Sequence, residues 1–291
     1  MEKNEELIRK KRKKVIVILL AFFLSLFTFF GGILAVIQST FLSPNYMRKQ
    51  LKNSDYYENV IEDAENEFTS YASASGFDQS FFKGILDIND VQLNVNQSLS
   101  VLYGESDQSV NTSDFKSKLY GKLTENVEGR KITVTDSIKN SLTLLAQTCA
   151  DTYTQYISIP YYTELSQIVK KVKTPILIFE SVILLIIVLL VVTIFKLSKW
   201  KHRAVRAYIY SITGTALMLT ILPLIIIISG VTSRIALISK SMYAFAICYI
   251  NGILYSCLYG AAFFFAVDLV LAVTYYYLKN KAIHYCPPGE N

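Results

Sequence analysis

The sequence has very few of the side chains on which most enzymes and metal sites depend. Its 291 residues include two histidines, four cysteines and one tryptophan. The cysteines are far apart and form no CxxC pair, which argues against a disulfide framework and against a zinc site. No HExxH, GxSxG, P-loop or GxGxxG motif occurs. We therefore predict no catalytic residue, no metal and no cofactor.

Long apolar runs are abundant instead. Hydrophobic residues make up 52% of the chain, which is unusual for a soluble protein of this length. Each of four runs is close to the about 20 residues that cross a hydrocarbon core of ~30 Å. The runs are Val15–Ile37, Pro175–Phe195, Ala207–Gly230 and a tract that ends at Leu278. The pattern predicts a multi-pass integral protein of the plasma membrane, with the lipid bilayer as its first partner.

The 136 residues between the first and second runs are enough to bury a core of their own. We predict an all-α fold: a four-transmembrane-helix protein with a large extracellular helical-bundle domain between the first and second spans. The predicted segments are a cytoplasmic N-terminus (1–14), transmembrane helix 1 (15–37), the extracellular domain (38–173), transmembrane helix 2 (174–196), a cytoplasmic loop (197–206), transmembrane helix 3 (207–230), an outer loop (231–252), transmembrane helix 4 (253–278) and a cytoplasmic tail (279–291).

The basic residues predict the orientation. Six of them precede the first run at 9–14, and the connection 196–206 has five with no acid. The large segment 38–173 has 13 basic and 17 acidic residues. Because short basic connections stay in the cytoplasm, we place both termini inside and 38–173 outside. The basic residues are not interleaved with aromatic residues on a folded surface, so nucleic-acid binding is not expected.

Two segments have alternative interpretations. The first run resembles a signal peptide, but its 23 residues exceed a signal core of about 7–15, which favours an uncleaved anchor. The last tract is too long for one crossing. Asn251-Gly252 is a natural break, and Ser233–Ile250 is predicted to be an amphipathic helix on the outer face. In the alternative, this stretch is a fifth span and the C-terminus lies outside.

Apolar residues recur at helical spacing through the large segment, and helix start and stop signals separate them. A first stripe runs from Met47 to Tyr71 with a break near Asn53-Ser54, and Gly76 ends it. Three more stripes follow. They are Val91, Val95, Leu99 and Leu102; Phe115, Leu119, Leu123 and Val127; and Ile138, Leu142, Leu145, Cys149 and Tyr153. These stripes predict the core of a helical bundle.

Two carboxylates inside the spans are the candidate polar site. Asp268 lies near the middle of the last span, and Glu180 is about two turns into the second. An intramembrane carboxylate is costly and marks a hydrogen-bonded or functional position. Four hydroxyl residues lie at similar depth to Asp268 and are its predicted partners: Ser25, Thr28, Thr215 and Thr220. Asp268 therefore has two open interpretations, helix–helix hydrogen bonding and an ion or proton role.

Three small residues, Gly252, Ser256 and Gly260, recur every four positions in the last helix. They predict close helix packing, either within this chain or in a homo-oligomer.

The outer segment opens with Tyr46, Leu51 and Ser54-Asp55-Tyr56-Tyr57, a Ser75-Gly76-Phe77 turn follows, and the third span leaves through Ser229-Gly230. In these features the chain resembles uncharacterised four-span membrane proteins of low-GC Gram-positive bacteria. That resemblance implies no activity. The topology is also similar to that of FtsX-type permease subunits, which pair with a cytoplasmic ATPase.

Three functions remain open. The first is a non-enzymatic cell-envelope protein whose extracellular domain binds an envelope protein, a peptide or another ligand as a receptor, scaffold or accessory. The second is a transport-related subunit of a membrane complex, either ATPase-coupled or proton-linked through Asp268. The third is a membrane-embedded enzyme that uses carboxylates and tyrosines.

Overall fold

A computed structural model gives the architecture of the chain. It describes residues 2–108, 110–158, 162–198, 200–235 and 239–285, without the side chains of 2–10, 72–74, 162–164 and 282–285. Part of the predicted tail 279–291, including Cys286, lies outside the described residues. The secondary structure of the described part is helical, with no strand there, which confirms the all-α class.

The described helices correspond closely to the predicted stripes and runs. They are α1 (Glu2–Ser39), α2 (Pro44–Asn53), α3 (Tyr56–Ser75), α4 (Ile88–Leu102), α5 (Ser113–Gly129), α6 (Asp136–Ile157), α7 (Tyr162–Leu197), α8 (Lys201–Ser229) and α9 (Lys240–Tyr285). Single 3-10 turns lie at Gln79–Phe82 and Val231–Arg234. Four helices are long and apolar enough to cross a membrane: α1, α7, α8 and α9. The four-span prediction is thus confirmed by length and composition, as in a multi-pass membrane protein.

Local signals explain where the helices begin and end. Pro44 opens α2, and the Ser43 hydroxyl accepts a hydrogen bond from the Tyr46 N–H at 3.3 Å. Gly76 and Gly104 follow α3 and α4 with φ of 75° and 71°, a left-handed conformation that glycine adopts without strain. The predicted break near Asn53-Ser54 is confirmed by the end of α2.

The chain forms two compact units. One, here called the membrane unit, comprises residues 1–41, 173–234 and 250–291. The other, here called the helical domain, comprises Leu42–Val172 together with Ile235–Tyr249. This unit overlaps the predicted segment 38–173 and also includes the second stretch Ile235–Tyr249.

Side-chain contacts define the register of the helices in the membrane unit. The Thr215 hydroxyl on α8 donates to the Ser25 carbonyl on α1 at 3.0 Å. A Cβ on Gly32 would contact Leu219 of α8 and Phe264 of α9 at 3.3 and 3.6 Å. Phe264 thus lies level with Leu219, and Asp268 contacts Thr213. Residue numbers therefore increase together along α1 and α8 and in opposite directions along α8 and α9. As a result, α1 and α8 are parallel and α9 is antiparallel to both.

The helical domain has one continuous core. Its fully buried side chains come from every stripe predicted in the sequence. The largest are Phe68, Phe82, Leu99, Leu119, Leu123, Tyr153 and Ile157. The Phe68 ring stacks on Phe115 with centroids 6.0 Å apart, and the Phe115 ring lies 4.9 Å from Tyr153. These aromatic contacts join α3, α5 and α6, as a helical-bundle core requires.

The beginning of α9 is part of the helical domain. The Ser239 hydroxyl accepts from the Met242 N–H at 3.4 Å, so Ser239 caps the helix. The Asp63 carboxylate of α3 accepts from the Ser241 N–H at 2.9 Å and from the Ser239 hydroxyl at 2.8 Å. A carboxylate beside a helix N-terminus also interacts favourably with the helix dipole.

Apolar contacts continue this attachment along the first turns of α9. The Phe245 ring lies 5.7 Å from Tyr56, and the Tyr249 ring lies 5.8 Å from Tyr46. Cys248 donates to the Gln50 side chain at 3.2 Å. The predicted separate amphipathic helix over Ser233–Ile250 is therefore wrong.

The predicted break at Asn251-Gly252 is also absent, because α9 runs unbroken from Lys240 to Tyr285. A glycine in a helix interior costs only about 1 kcal/mol, so one such residue does not by itself end a helix. The alternative of a fifth span has no support among the described residues, where the whole tract is one helix. The predicted cytoplasmic loop 197–206 is shorter than expected, since α8 already begins at Lys201.

Candidate functional site

The helical domain has a groove of about 590 Å³ between α4, α5 and the turn before α4. This volume falls within the range of about 300–1,000 Å³ that is typical of ligand sites. The buried side chains of Leu86, Leu119 and Tyr153 form its floor, while Leu93 stands exposed at its edge. The polar lining residues are Asp87, Asp90, Asn94, Asn111, Asp114, Lys118 and Lys122.

Charges of both signs surround this apolar floor. On α5, Asp114, Lys118 and Lys122 follow each other at intervals of four, which places them on one face. The Lys118 ammonium lies 3.4 Å from the Asp90 carboxylate of α4, with both side chains more than half exposed. An ion pair so exposed is weak. Both charges are therefore free to exchange this contact for one with a bound ligand.

Tyr153 supplies a hydrogen-bond donor at the floor of the groove. Its hydroxyl oxygen accepts from the Asn94 amide at 2.9 Å, and no hydrogen bond from the hydroxyl proton to another described residue is found. Burial raises the pKa of the Tyr153 phenol, although the hydrogen bond from Asn94 opposes this. The phenol therefore remains neutral at physiological pH, and Asn94 keeps its side-chain carbonyl as an acceptor beside it.

Local structure holds these groups in place. The Asp87 carboxylate accepts from the Asn89 N–H at 2.7 Å and so caps α4. Gly84 turns the chain into the groove edge with φ of 71°. The described lining residues include carboxylates, lysines and a tyrosine, but no histidine, cysteine or serine. These residues can bind a ligand through charge, hydrogen bonds and apolar contact.

In the membrane unit, Asp268 of α9 meets a hydroxyl of α8. Its Oδ2 lies 2.6 Å from the Thr213 hydroxyl, and its Oδ1 is buried without a hydrogen-bond partner among the described residues. The Thr213 hydroxyl also lies 2.8 Å from the Ile209 carbonyl. One hydroxyl has one proton to donate. The Thr213 hydroxyl proton is therefore shared between two acceptors, Asp268 Oδ2 and the Ile209 carbonyl.

The predicted partners of Asp268 were wrong. Thr28 and Thr220 each donate to a carbonyl of their own helix at 2.7 Å, and Thr215 bonds to the Ser25 carbonyl. Counting residues from a helix end estimates depth in the membrane but not direction around the helix axis. That direction decides which hydroxyl faces Asp268.

The other predicted site residues are not brought together. Glu180 has no hydrogen bond or ion pair among the described residues and lies half-buried on α7. Ser256 donates to the Gly252 carbonyl at 2.9 Å, within its own helix. A Cβ on Gly260 would meet no atom within 4 Å, so the chain's own helices do not close on this position.

No family model, curated protein or solved structure matches this chain.

The groove was not predicted from the sequence, although one signal for it is present. Asp114, Lys118 and Lys122 form a charged stripe beside the apolar stripe of Phe115 and Leu119. Such a stripe also occurs on any solvated helix. Its meaning depends on which part of α4 faces it, and that is a tertiary contact.

Proposed function

We propose that the protein is a non-enzymatic receptor, scaffold or accessory protein of the cell envelope. In this proposal its helical domain lies outside the plasma membrane, and the groove binds an exposed segment of an envelope protein or a peptide. The observation that carries it is the groove itself, where an apolar floor and the Tyr153 hydroxyl are surrounded by charges of both signs. The resemblance to four-span proteins of low-GC Gram-positive bacteria supplies the proposed setting.

The orientation rests on charge. Lys11–Lys14 and the basic residues at 196–206 flank three of the spans, and the positive-inside rule places them in the cytoplasm. We expect a membrane-impermeant maleimide to label Lys116→Cys in intact cells and Trp200→Cys only after the membrane is opened. The reverse result would place the helical domain in the cytoplasm.

The groove is tested with a photo-crosslinking residue placed at Leu93. Leu93 and Leu144 are both leucines with 69% of their surface exposed, but only Leu93 lines the groove. Leu144 on α6 is therefore a matched control for exposure. In intact cells we expect a discrete crosslinked partner from position 93 and none of that size from 144.

A second set of variants links that crosslink to the chemistry of the groove. Asn94→Ala removes the amide beside Tyr153, and Lys122→Glu reverses a charge at the edge. Because buried or charged contacts at a binding site typically contribute about 1–3 kcal/mol each, we expect either variant to reduce the crosslink at position 93 by about tenfold. Equal capture from 93 and 144, or capture unchanged in both variants, would contradict the proposal.

A second candidate function is proton-linked transport, and the contact of Asp268 with Thr213 favours it. A protonatable carboxyl held by a hydroxyl inside a span is typical of proton relays. The purified chain in vesicles with a trapped pH dye should then conduct protons under an imposed potential. We expect Asp268→Asn, which keeps hydrogen bonding but loses the exchangeable proton, to reduce the flux to that of protein-free vesicles. Normal flux in Asp268→Asn would remove this candidate and leave a structural helix–helix bond.

A further inference from the structure

The cytoplasm-assigned end of the membrane unit has a cluster of basic side chains that form no ion pair with the acidic side chains the structure describes. Arg203 and Arg206 follow His202 within about one turn of α8, and the His202 ring lies 6.4 Å from Tyr275 of α9, about one turn before Lys279. The connection 196–206 contains no acid, and the first turn of α8 contains none either. None of the ion pairs found among the described residues involves these cations.

The register of the helices explains why these cations converge. Thr213 of α8 contacts Asp268 of α9, and the two helices are antiparallel. Arg203 lies ten residues before Thr213 on α8, and Lys279 lies eleven residues after Asp268 on α9. Both intervals correspond to about 15 Å along a helix, so the two side chains reach the same level.

The beginning of α8 adds to the unbalanced positive charge. Its cap residue, Trp200, makes no side-chain hydrogen bond to the first turn. The positive end of the helix dipole therefore lies among cations, an arrangement that is unfavourable unless an anion is close. By contrast, the helical domain caps α9 with the carboxylate of Asp63.

Aromatic residues surround the cluster at a level typical of a membrane interface. The rings of Trp200 and Tyr275 lie 6.2 and 6.4 Å from His202. Tyr210, Tyr276 and Tyr277 are all more than 60% exposed. Tyrosine and tryptophan are enriched at the headgroup level of bilayers. The basic cluster is therefore placed to bind an anion at the membrane surface, where the spanning helices end.

From these observations we propose that Arg203, Arg206 and Lys279, with the N–H groups that precede Arg203 at the beginning of α8, bind the phosphate of an anionic phospholipid headgroup. Trp200 and Tyr275 flank that headgroup on its apolar side. A basic residue near an anionic membrane surface contributes about fivefold in affinity. Three together therefore give roughly a hundredfold preference over a zwitterionic lipid. This inference does not depend on the groove or on what it binds.

The test is native mass spectrometry of the full-length chain in mild detergent. The probes are phosphatidylglycerol and phosphatidylcholine with identical acyl chains. We expect phosphatidylglycerol to bind preferentially and the variant Arg203→Gln/Arg206→Gln/Lys279→Gln to lose most of that preference. The control variant Lys49→Gln/Lys83→Gln/Lys139→Gln removes the same charge from exposed positions of the helical domain and should retain the preference.

Several results would overturn this inference. One is equal binding of both lipids to the unaltered chain, and another is full preference in the variant of Arg203, Arg206 and Lys279. Displacement of phosphatidylglycerol by inorganic phosphate, but not by chloride at equal ionic strength, would assign the site to free phosphate. Co-purification of an acidic protein that depends on these three residues, without any lipid preference, would assign it to a protein partner.

Discussion

Replacing Phe68 with alanine should destabilise the helical domain by about 3–5 kcal/mol. Phe68 is completely buried, and its ring contacts Phe82 and Phe115 with centroids 6.3 and 6.0 Å away. Removal of the ring leaves a cavity between α3 and α5, which close-packed neighbours fill only in part. This change is the largest that we expect from a single substitution in the domain.

Cys149 provides the measurement for Phe68→Ala. It is fully buried in the same core, and burial raises the pKa of its thiol to about 12. The thiolate reacts and the thiol does not, and the close-packed core excludes the reagent. A maleimide therefore labels Cys149 only when the domain opens. Cys248, Cys257 and Cys286 are first replaced by serine so that a single cysteine reports.

In that background, a loss of 3–5 kcal/mol corresponds to a rise of about two to four orders of magnitude in the population of open domain. We expect the labelling rate of Cys149 in native membranes to rise with it, under conditions where opening is a rapid equilibrium. The matched control is Leu144→Ala, because Leu144 is 69% exposed in the same domain. Similar rates for Phe68→Ala and Leu144→Ala would show that the core is not built around Phe68.

The second large effect is expected from Gly214→Val in the membrane unit. A Cβ on Gly214 would lie 2.7 Å from the Ser25 hydroxyl oxygen and 3.6 Å from its Cβ. The two further carbons of valine find no space unless α1 and α8 separate. Small residues allow close helix packing in membranes, and overfilling such a contact costs about 1–3 kcal/mol or more. We expect less chain in the membrane and aggregation in mild detergent, measured by size-exclusion chromatography.

Three further variants separate this contact from a general effect of valine in a helix. Gly260→Val makes the same chemical change where a Cβ meets no atom within 4 Å, and it should remain monodisperse. Gly214→Ala should be milder than Gly214→Val and should be relieved by Ser25→Ala, because the Ser25 hydroxyl is the closest atom. A double variant no better than Gly214→Ala alone would contradict this account of the α1–α8 crossing.

Much of the helical pattern is predictable because its causes are local. Glycines with positive φ, such as Gly76 and Gly104, stop helices regardless of what lies around them. The apolar stripe of Val91, Val95 and Leu99 has to be buried somewhere, and all three side chains are fully buried. Membrane-spanning helices are equally predictable from local sequence, since the length and composition of a run suffice to identify them.

Contacts between distant parts of the chain were not predictable in the same way. Ser239 and Ser241 lie about 176–178 residues from Asp63, yet this carboxylate caps the beginning of α9. Asn251-Gly252 favours a break when considered alone, but the helix continues through it. A local preference of about 1 kcal/mol does not by itself end a helix of 46 residues.

The candidate sites show the same division. Asp268 stood out because a carboxylate in an apolar run is conspicuous, whereas its partner Thr213 did not. Composition and periodicity by themselves determined that the chain is all-helical, that four helices can span a membrane and which stripes form a core. Only the tertiary structure decided that α4 and α5 enclose a groove, that α9 begins in the helical domain and which hydroxyl contacts Asp268. The reason is physical: burial and helix formation follow from short stretches of chain, while the direction of each side chain depends on how the helices pack.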